Sequence, residues 1–121
     1  MNRTSQIIAV AKQTIETESK AIMHLAQLVN EEFAQAVEAI YHSKGRVVIT
    51  GIGKSANIAT KIVATLNSTG TPAIFMHAAD AIHGDLGTIL KDDVVICISK
   101  SGNTPEIKVL VPLIKGRGNT L

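Results

Sequence analysis

The sequence predicts an α/β domain, a three-layer sandwich with a parallel sheet, preceded by two N-terminal helices. Three observations predict it. After position 45, short β-branched apolar runs alternate with stretches of helical periodicity. Two small-residue loops, Gly51-Ile52-Gly53-Lys54-Ser55 and Ser99-Lys100-Ser101-Gly102-Asn103-Thr104, each follow such a run and lead into a helical stretch. The composition is aliphatic, 45% hydrophobic with one Tyr, two Phe and no Trp, which suits buried Val- and Ile-rich strands.

From Thr4 to about Leu28, the residues Ile7, Ile8, Ala11, Ile15, Ile22, Leu25 and Leu28 recur mostly at three- and four-residue spacing. This is an amphipathic helix with Thr4 as its expected cap. Asn30 before Glu31 and Glu32 opens a second helix, in which Phe33, Val37 and Ile40 share a face and which Gly45 is expected to end. These helices are expected to pack on the sheet or on another subunit. Arg46–Thr50 then reads as a strand, Ser55–Leu66 as a helix, and Gly70-Thr71-Pro72 as a turn into the strand Ala73–Met76. Ala78–Leu90 is polar and punctuated by glycine, with room for one short helix. Asp92-Asp93 turns into the strand Val94–Ile98, and Thr104 to about Lys115 is a helix with Pro105 in its first turn, where proline is tolerated. Gly118-Asn119-Thr120-Leu121 reads as the approach to a further strand. Three strands make a poor doubly wound sheet, so residues 1–121 are expected to form a single, incomplete domain, with helices over 1–45 and the β/α core over 46–121.

Charge and cysteine content exclude several function classes. Twelve Lys and Arg against ten Asp and Glu leave a formal net charge of +2, and no basic run or basic–aromatic interleaving suggests a nucleic-acid surface. Cys97 is the sole cysteine and lies in an apolar strand, so a disulfide framework and a cysteine-rich metal site are ruled out and a buried small hydrophobe is expected. No apolar stretch approaches the ~20 residues of a membrane span, and the N-terminus lacks a continuous apolar leader core. The expected setting is cytoplasmic, with no membrane partner.

A strand that ends in a small-residue loop and hands over to a helix presents unpaired N–H groups and the positive end of a helix dipole, a combination that binds phosphate. Two such loops on neighbouring βα units, one with Lys54 and the other with three hydroxyls, describe a pocket for a phosphorylated small molecule. Alternatives exist for each. Gly51-Ile52-Gly53-Lys54-Ser55-Ala56 fits G-x-G-x-x-[GA], so a dinucleotide site has to be considered. The match is short, however, and lacks an acidic residue at the end of the next strand, where His77 stands and Asp80 follows only later. It is not a Walker loop, because position 48 is Val. The glycines could also serve only a tight turn. In the second loop, Ser99, Ser101 and Thr104 surround Gly102; a helix cap explains one hydroxyl but not three.

Between the loops, His77, Asp80, His83 and Asp85 fall in one segment beyond the second strand. His77 and His83 sit at the ligand-facing edge, whereas His24 and His42 lie on helices and read as structural. No tight His-x-His or His-x-x-x-His pattern supports an obligatory metal. Glu106, one turn into the last helix, is either a carboxylate favoured by the helix dipole or an acid/base group beside a bound sugar.

Gly53-Lys54-Ser55, Ser68-Thr69-Gly70-Thr71-Pro72, His77, His83-Gly84-Asp85-Leu86-Gly87 and Ser99-x-Ser101-Gly102 together resemble the sugar isomerase (SIS) domain. More narrowly, they are similar to the D-arabinose 5-phosphate isomerases, with the His-Gly-Asp-Leu-Gly string in its Thr-Gly-Thr-Pro context the most specific element. The resemblance runs over nearly the whole chain. It implies an SIS-type, flavodoxin-like sheet and the interconversion of D-arabinose 5-phosphate and D-ribulose 5-phosphate, feeding the eight-carbon acid Kdo for capsule or lipopolysaccharide. It also implies no redox cofactor and a homodimer or homotetramer.

For individual residues, the resemblance implicates Lys54, His83 and Glu106 in catalysis. It assigns phosphate or substrate binding to Gly53, Ser55, Gly70, Thr71, His77, Ser99, Ser101, Gly102, Asn103 and Thr104. His77 could also take up an inhibitory zinc. The chain departs from the family at Ala56-Asn57, where Gly-His is common, at Asp80, where Glu is usual, and at Asn103-Thr104-Pro105, which replaces a more Ser/Glu-rich stretch. A further catalytic Glu and His of the family would lie beyond Leu121, and many relatives carry C-terminal CBS domains. Two other functions remain open at this point: a non-catalytic phosphosugar-sensing module, and an SIS isomerase acting on amino-sugar or seven-carbon phosphates.

Overall fold

The computed structural model describes residues 2–121. The chain divides into two compact units, one ending at Val37 and one spanning Glu38–Leu121. In the first, α1 (Arg3–Leu25) is a single 23-residue helix in which no residue is buried. Its cap is Asn2, not the expected Thr4: the Asn2 side chain accepts from the Ser5 N–H at 2.8 Å. The second helix, α2 (Glu31–Tyr41), starts as expected, with Asn30 accepting from the Phe33 N–H at 3.2 Å. Ile7, Ile8, Ile15, Ile22, Leu25 and Leu28 are all exposed, so the predicted apolar stripe is present and open.

The second unit is built on a three-stranded parallel sheet of β1 (Val47–Gly51), β2 (Ala73–His77) and β3 (Val94–Cys97) in the order β2-β1-β3. Alternation along β1 sends Val47 and Ile49 to one face and Val48 and Thr50 to the other. The Val47 face is covered by α3 (Lys54–Ser68) through Ala59, Val63 and Leu66, with Ile40 beside them. The Val48 face is covered by α4 (Ala78–Ile82) through Ala78 and Ala81, and by α5 (Pro105–Gly116) through Ile107, Leu110 and Ile114. Three layers result, as expected.

Several details differ from the sequence reading. The polar segment after β2 holds two short elements, α4 and the 3-10 turn Asp85–Thr88, where one was expected. Gly45 does not end α2, which stops at Tyr41. Its role is close approach, since a Cβ there would overlap the Asp92 carbonyl. Past the end of α5, Thr120 forms a parallel bridge to Val94, in keeping with the predicted approach of a further strand at the open side of β3. Cys97 is half-buried against the Val48-face core, and burial pushes its thiol above its ordinary pKa.

Candidate functional site

The order β2-β1-β3 places the chain's exit from β1 beside its exit from β3, and helices leave those two strands on opposite faces of the sheet. Such a switch point opens a crevice beyond the carboxyl ends of the strands, where open α/β sheets bind ligands. The crevice is present. A cleft of about 440 Å³ lies between the two loops, lined by Ile52, Ser55, Ser99, Lys100, Ser101 and Thr104 together with Ile98. Residues of both loops singled out in the sequence therefore line one cleft.

Gly53 (φ 60°) and Gly102 (φ 71°) turn the two loops through backbone conformations that a side chain would strain. The hydroxyls of the second loop hold its shape. Ser99 Oγ accepts from the Gly102 N–H at 2.9 Å and lies 3.1 Å from Thr104 Oγ1, while Ser101 Oγ accepts from the Asn103 N–H at 3.1 Å. A serine oxygen that accepts a backbone N–H keeps its own hydrogen to give away. Ser101 thus has an O–H left to donate, and the Ser99–Thr104 pair has one between them after their mutual bond. A site of this kind offers donors and suits an anion.

The helix termini sharpen the contrast. Among the described residues, three of the five α-helices are capped by a side chain: α1 by Asn2, α2 by Asn30 and α4 by His77. The other two, α3 and α5, have no side-chain cap, and these are the two that begin at the cleft. Thr104 occupies the cap position of α5, but its hydroxyl is joined to Ser99 instead of the first-turn N–H groups. Two uncapped positive helix ends thus face one crevice.

The other predicted residues are placed as follows. Lys54 is the first residue of α3, exposed, and does not line the cleft; Ser55, the next residue, does. His77 ends β2 opposite Gly51, and its Nδ1 accepts from the Ala79 N–H at 3.2 Å. A neutral His77 in this state carries its hydrogen on Nε2, and a metal at Nε2 would move that hydrogen to Nδ1 and break the cap. No group of three or more His, Cys, Asp or Glu side chains that could hold a metal occurs among the described residues. His83 is the exposed residue at the end of α4, and Glu106 is the half-buried second residue of α5. Gly70 and Thr71 are not brought to this cleft. They precede β2, at the amino-terminal edge of the sheet, and five strand residues at ~3.3 Å each separate them from the edge where His77 lies.

Comparison with known proteins bears on this geometry. A model of the SIS domain family matches residues 39–121. The chain belongs to the SIS domain family. It is 48% identical over 121 residues to the arabinose 5-phosphate isomerase KdsD of Pseudomonas aeruginosa, covering 100% of this chain and 37% of that protein. To the arabinose 5-phosphate isomerase GutQ of Escherichia coli O6:H1 strain CFT073 it is 42% identical over 115 residues, 95% of this chain and 36% of that protein. The solved structure of c3406 from E. coli CFT073 in complex with arabinose 5-phosphate matches with a TM-score of 0.89 at 44% identity, over 98% of this chain and 63% of that one. This SIS chain thus spans 36–37% of the length of these two curated relatives.

Sequence reasoning missed one feature of the SIS cleft, one in the strand behind it and one of the opposite edge. Lys100 lines the cleft although Lys54 does not, a placement signalled only by its position between two serines. Thr50, next to the first loop, is completely buried and its hydroxyl has no partner. At the amino-terminal edge, Asp93 is 2% exposed and accepts four bonds. Arg46 gives it three: its backbone N–H (2.8 Å) and Nε (3.3 Å) to Oδ1, and Nη2 (2.8 Å) to Oδ2. The Leu90 N–H gives the fourth to Oδ2 at 2.8 Å. Burial pushes the Asp93 carboxyl up, but the Arg46 guanidinium and the two backbone N–H groups outweigh it and hold it below the ordinary carboxylate value. Around this pair, Arg117 donates to the Ile89 carbonyl, Asn119 to the Leu90 and Asp93 carbonyls, and Ser43 to the Asp92 carbonyl. A larger cleft of about 590 Å³ at this edge is lined in part by Asp93, whose carboxylate is thus already engaged, together with Lys44, Lys91, Asp92 and Arg117. No helix among the described residues is long and apolar enough to cross a membrane.

Proposed function

We propose that this chain belongs to an aldose–ketose isomerase that interconverts D-arabinose 5-phosphate and D-ribulose 5-phosphate. The observation that carries the reading is the anion-suited cleft at the β1/β3 switch point, where two uncapped helix ends and the donor hydroxyls meet. The names of the relatives and the arabinose 5-phosphate complex of the matching structure support the same substrate.

In this reading Ser99, Ser101, Gly102, Asn103 and Thr104 hold the phosphate, with Ser55 and Gly53 completing the wall. The aldehyde form of the sugar loses its C2 hydrogen as a proton to a base, giving an enediolate across C1 and C2. A proton returned to C1, with O1 protonated and O2 becoming the carbonyl oxygen, yields the ketose. Glu106 or His83 moves the proton, and Lys54 stabilises the enediolate oxygen. His77 Nε2–H contacts a sugar hydroxyl. Nothing is oxidised or reduced overall, so the reaction requires no redox cofactor. The reading extends to a cytoplasmic homodimer or homotetramer supplying Kdo synthesis for capsule or lipopolysaccharide, with the uncovered α1 stripe as a subunit contact.

The test is incubation of the full-length protein with arabinose 5-phosphate and detection of ribulose 5-phosphate. Product formation that Glu106→Gln or His83→Asn reduces by roughly 10²-fold or more supports the assignment. Substrate binding without product would instead mark a phosphosugar-sensing module, and product from a different sugar phosphate alone would mark another SIS isomerase.

A further inference from the structure

Two lysines flank the crevice in sequence, and the structure treats them differently. Lys100 lines the cleft with Ser55, Ser99, Ser101 and Thr104, and it is the only charged residue that does. No carboxylate shares the lining, and neither ion pair among the described residues involves Lys100. Its positive charge therefore stands uncompensated next to hydroxyls with hydrogens to give. Lys54 begins α3 immediately before Ser55. Successive helical residues point about 100° apart, so the turn that directs Ser55 at the cleft carries Lys54 off that wall.

We propose that Lys100 is the cation that binds the phosphate group, leaving Lys54 to the reacting end of the substrate. This inference rests on the proposed sugar-phosphate reading and divides its two positive charges between two tasks. A phosphate dianion needs more than neutral donors: hydroxyls and helix ends fix its oxygens, and a mobile ammonium close by neutralises it. Lysine is suited to that part, because its compact charge on a flexible stem follows the anion without dictating orientation. The loop also explains why the cation is placed here. Ser99 and Ser101 are committed to the Gly102 and Asn103 N–H groups, so the intervening Lys100 leaves a loop whose backbone is already fixed.

The experiment measures inorganic phosphate binding by calorimetry, with the full-length wild type and the variants Lys100→Ala, Lys100→Arg and Lys54→Ala. Loss of one charge-assisted contact weakens binding by about tenfold in Lys100→Ala, and Lys100→Arg restores most of it. Lys54→Ala is expected to change phosphate affinity less than twofold. Raising the salt concentration should narrow the gap between wild type and Lys100→Ala, since exposed charges are screened. Equal affinities for wild type and Lys100→Ala would overturn the inference, as would a larger loss in Lys54→Ala or a wild type that binds no phosphate. The proposed reaction is judged separately, by turnover of arabinose 5-phosphate. A protein that binds phosphate through Lys100 but makes no ribulose 5-phosphate sinks the isomerase reading and keeps this one. With turnover present, Lys100→Ala should raise KM with kcat nearly constant, and Lys54→Ala should lower kcat.

Discussion

The buried ion pair at one edge of the sheet and the hydroxyl loop at the other use their polar groups differently. At the amino-terminal edge, Asp93 accepts four bonds, three of them from Arg46, and Arg117 and Asn119 donate to loop carbonyls around it. At the carboxyl-terminal edge, two helices start without caps and hydroxyls retain hydrogens. A polar cluster that satisfies itself holds a fold together, whereas one left with surplus donors is ready for a ligand. The difference teaches that a site is recognised less by which polar residues are present than by which of their bonds remain unmade.

The sharpest way to break this comparison is Asp93→Ala. It leaves the Leu90 and Arg46 N–H groups without their acceptor and the partly exposed Arg46 guanidinium with only the Thr88 carbonyl, and unfolding in urea should show a loss of about 2–3 kcal/mol, the cost of unsatisfied buried donors. A loss under about 1 kcal/mol, the level of a surface ion pair, would show that the amino-terminal edge is not the fold's fastening. Acid provides a second view of the same residue. Because the folded protein holds the Asp93 carboxyl below its ordinary value, the unfolded chain takes up a proton there first as pH falls. This stabilising contribution should be fully present above the ordinary carboxylate pKa of about 4 and should disappear as pH drops through the folded value. Urea midpoints between neutral pH and pH 3 should slope less for Asp93→Asn than for wild type.

At the other edge the expectation reverses. Ser101→Ala should weaken inorganic phosphate binding by about tenfold, the value of one hydrogen bond to a charged group, while changing stability by less than about 1 kcal/mol. A large stability loss with phosphate binding intact would make that loop a structural turn. The smallest effect is expected at Thr50, buried and without a partner at the end of β1. Thr50→Val preserves the shape and removes an unmet hydroxyl, so stability should stay level or rise by up to about 1 kcal/mol. A marked loss, read by thermal melting, would reveal a water or ligand bonded to that oxygen.

Much of this was legible in the sequence because it depends on local pattern. Short β-branched apolar runs located all three strands, period-3.6 spacing located the main helices, and the small-residue loops at Gly51 and Ser99 pointed to the crevice. The Arg46–Asp93 pair was not legible, since nothing near either residue announces a partner 47 positions away. Nor was the assignment of lysines: Lys54 stood in the more familiar loop, and only the start of α3 at Lys54 itself, one residue earlier than the pattern suggested, shows that Ser55 faces the cleft. Gly45 misled for a similar reason. A glycine after a helical stretch reads as a stop, yet the one at 45 makes room for the Asp92 carbonyl. Whether Thr104 caps its helix or joins Ser99 is likewise a choice between two close partners that residue type does not decide.

The Arg46–Asp93 clasp also bears on how quickly the sheet can assemble. β1 is central, and its pairing with β3 joins segments 47 residues apart, beginning at Val47 and Val94, the residues immediately after the clasp. Bringing such distant segments together is the entropically slow part of forming a parallel sheet. A charged, multiply bonded contact at the first rung favours the register in which Val47 meets Val94, from which the remaining rungs can zip toward the carboxyl ends. In the folded chain that register also sets the ends of β1 and β3, and with them the two glycine turns, side by side at the opposite edge.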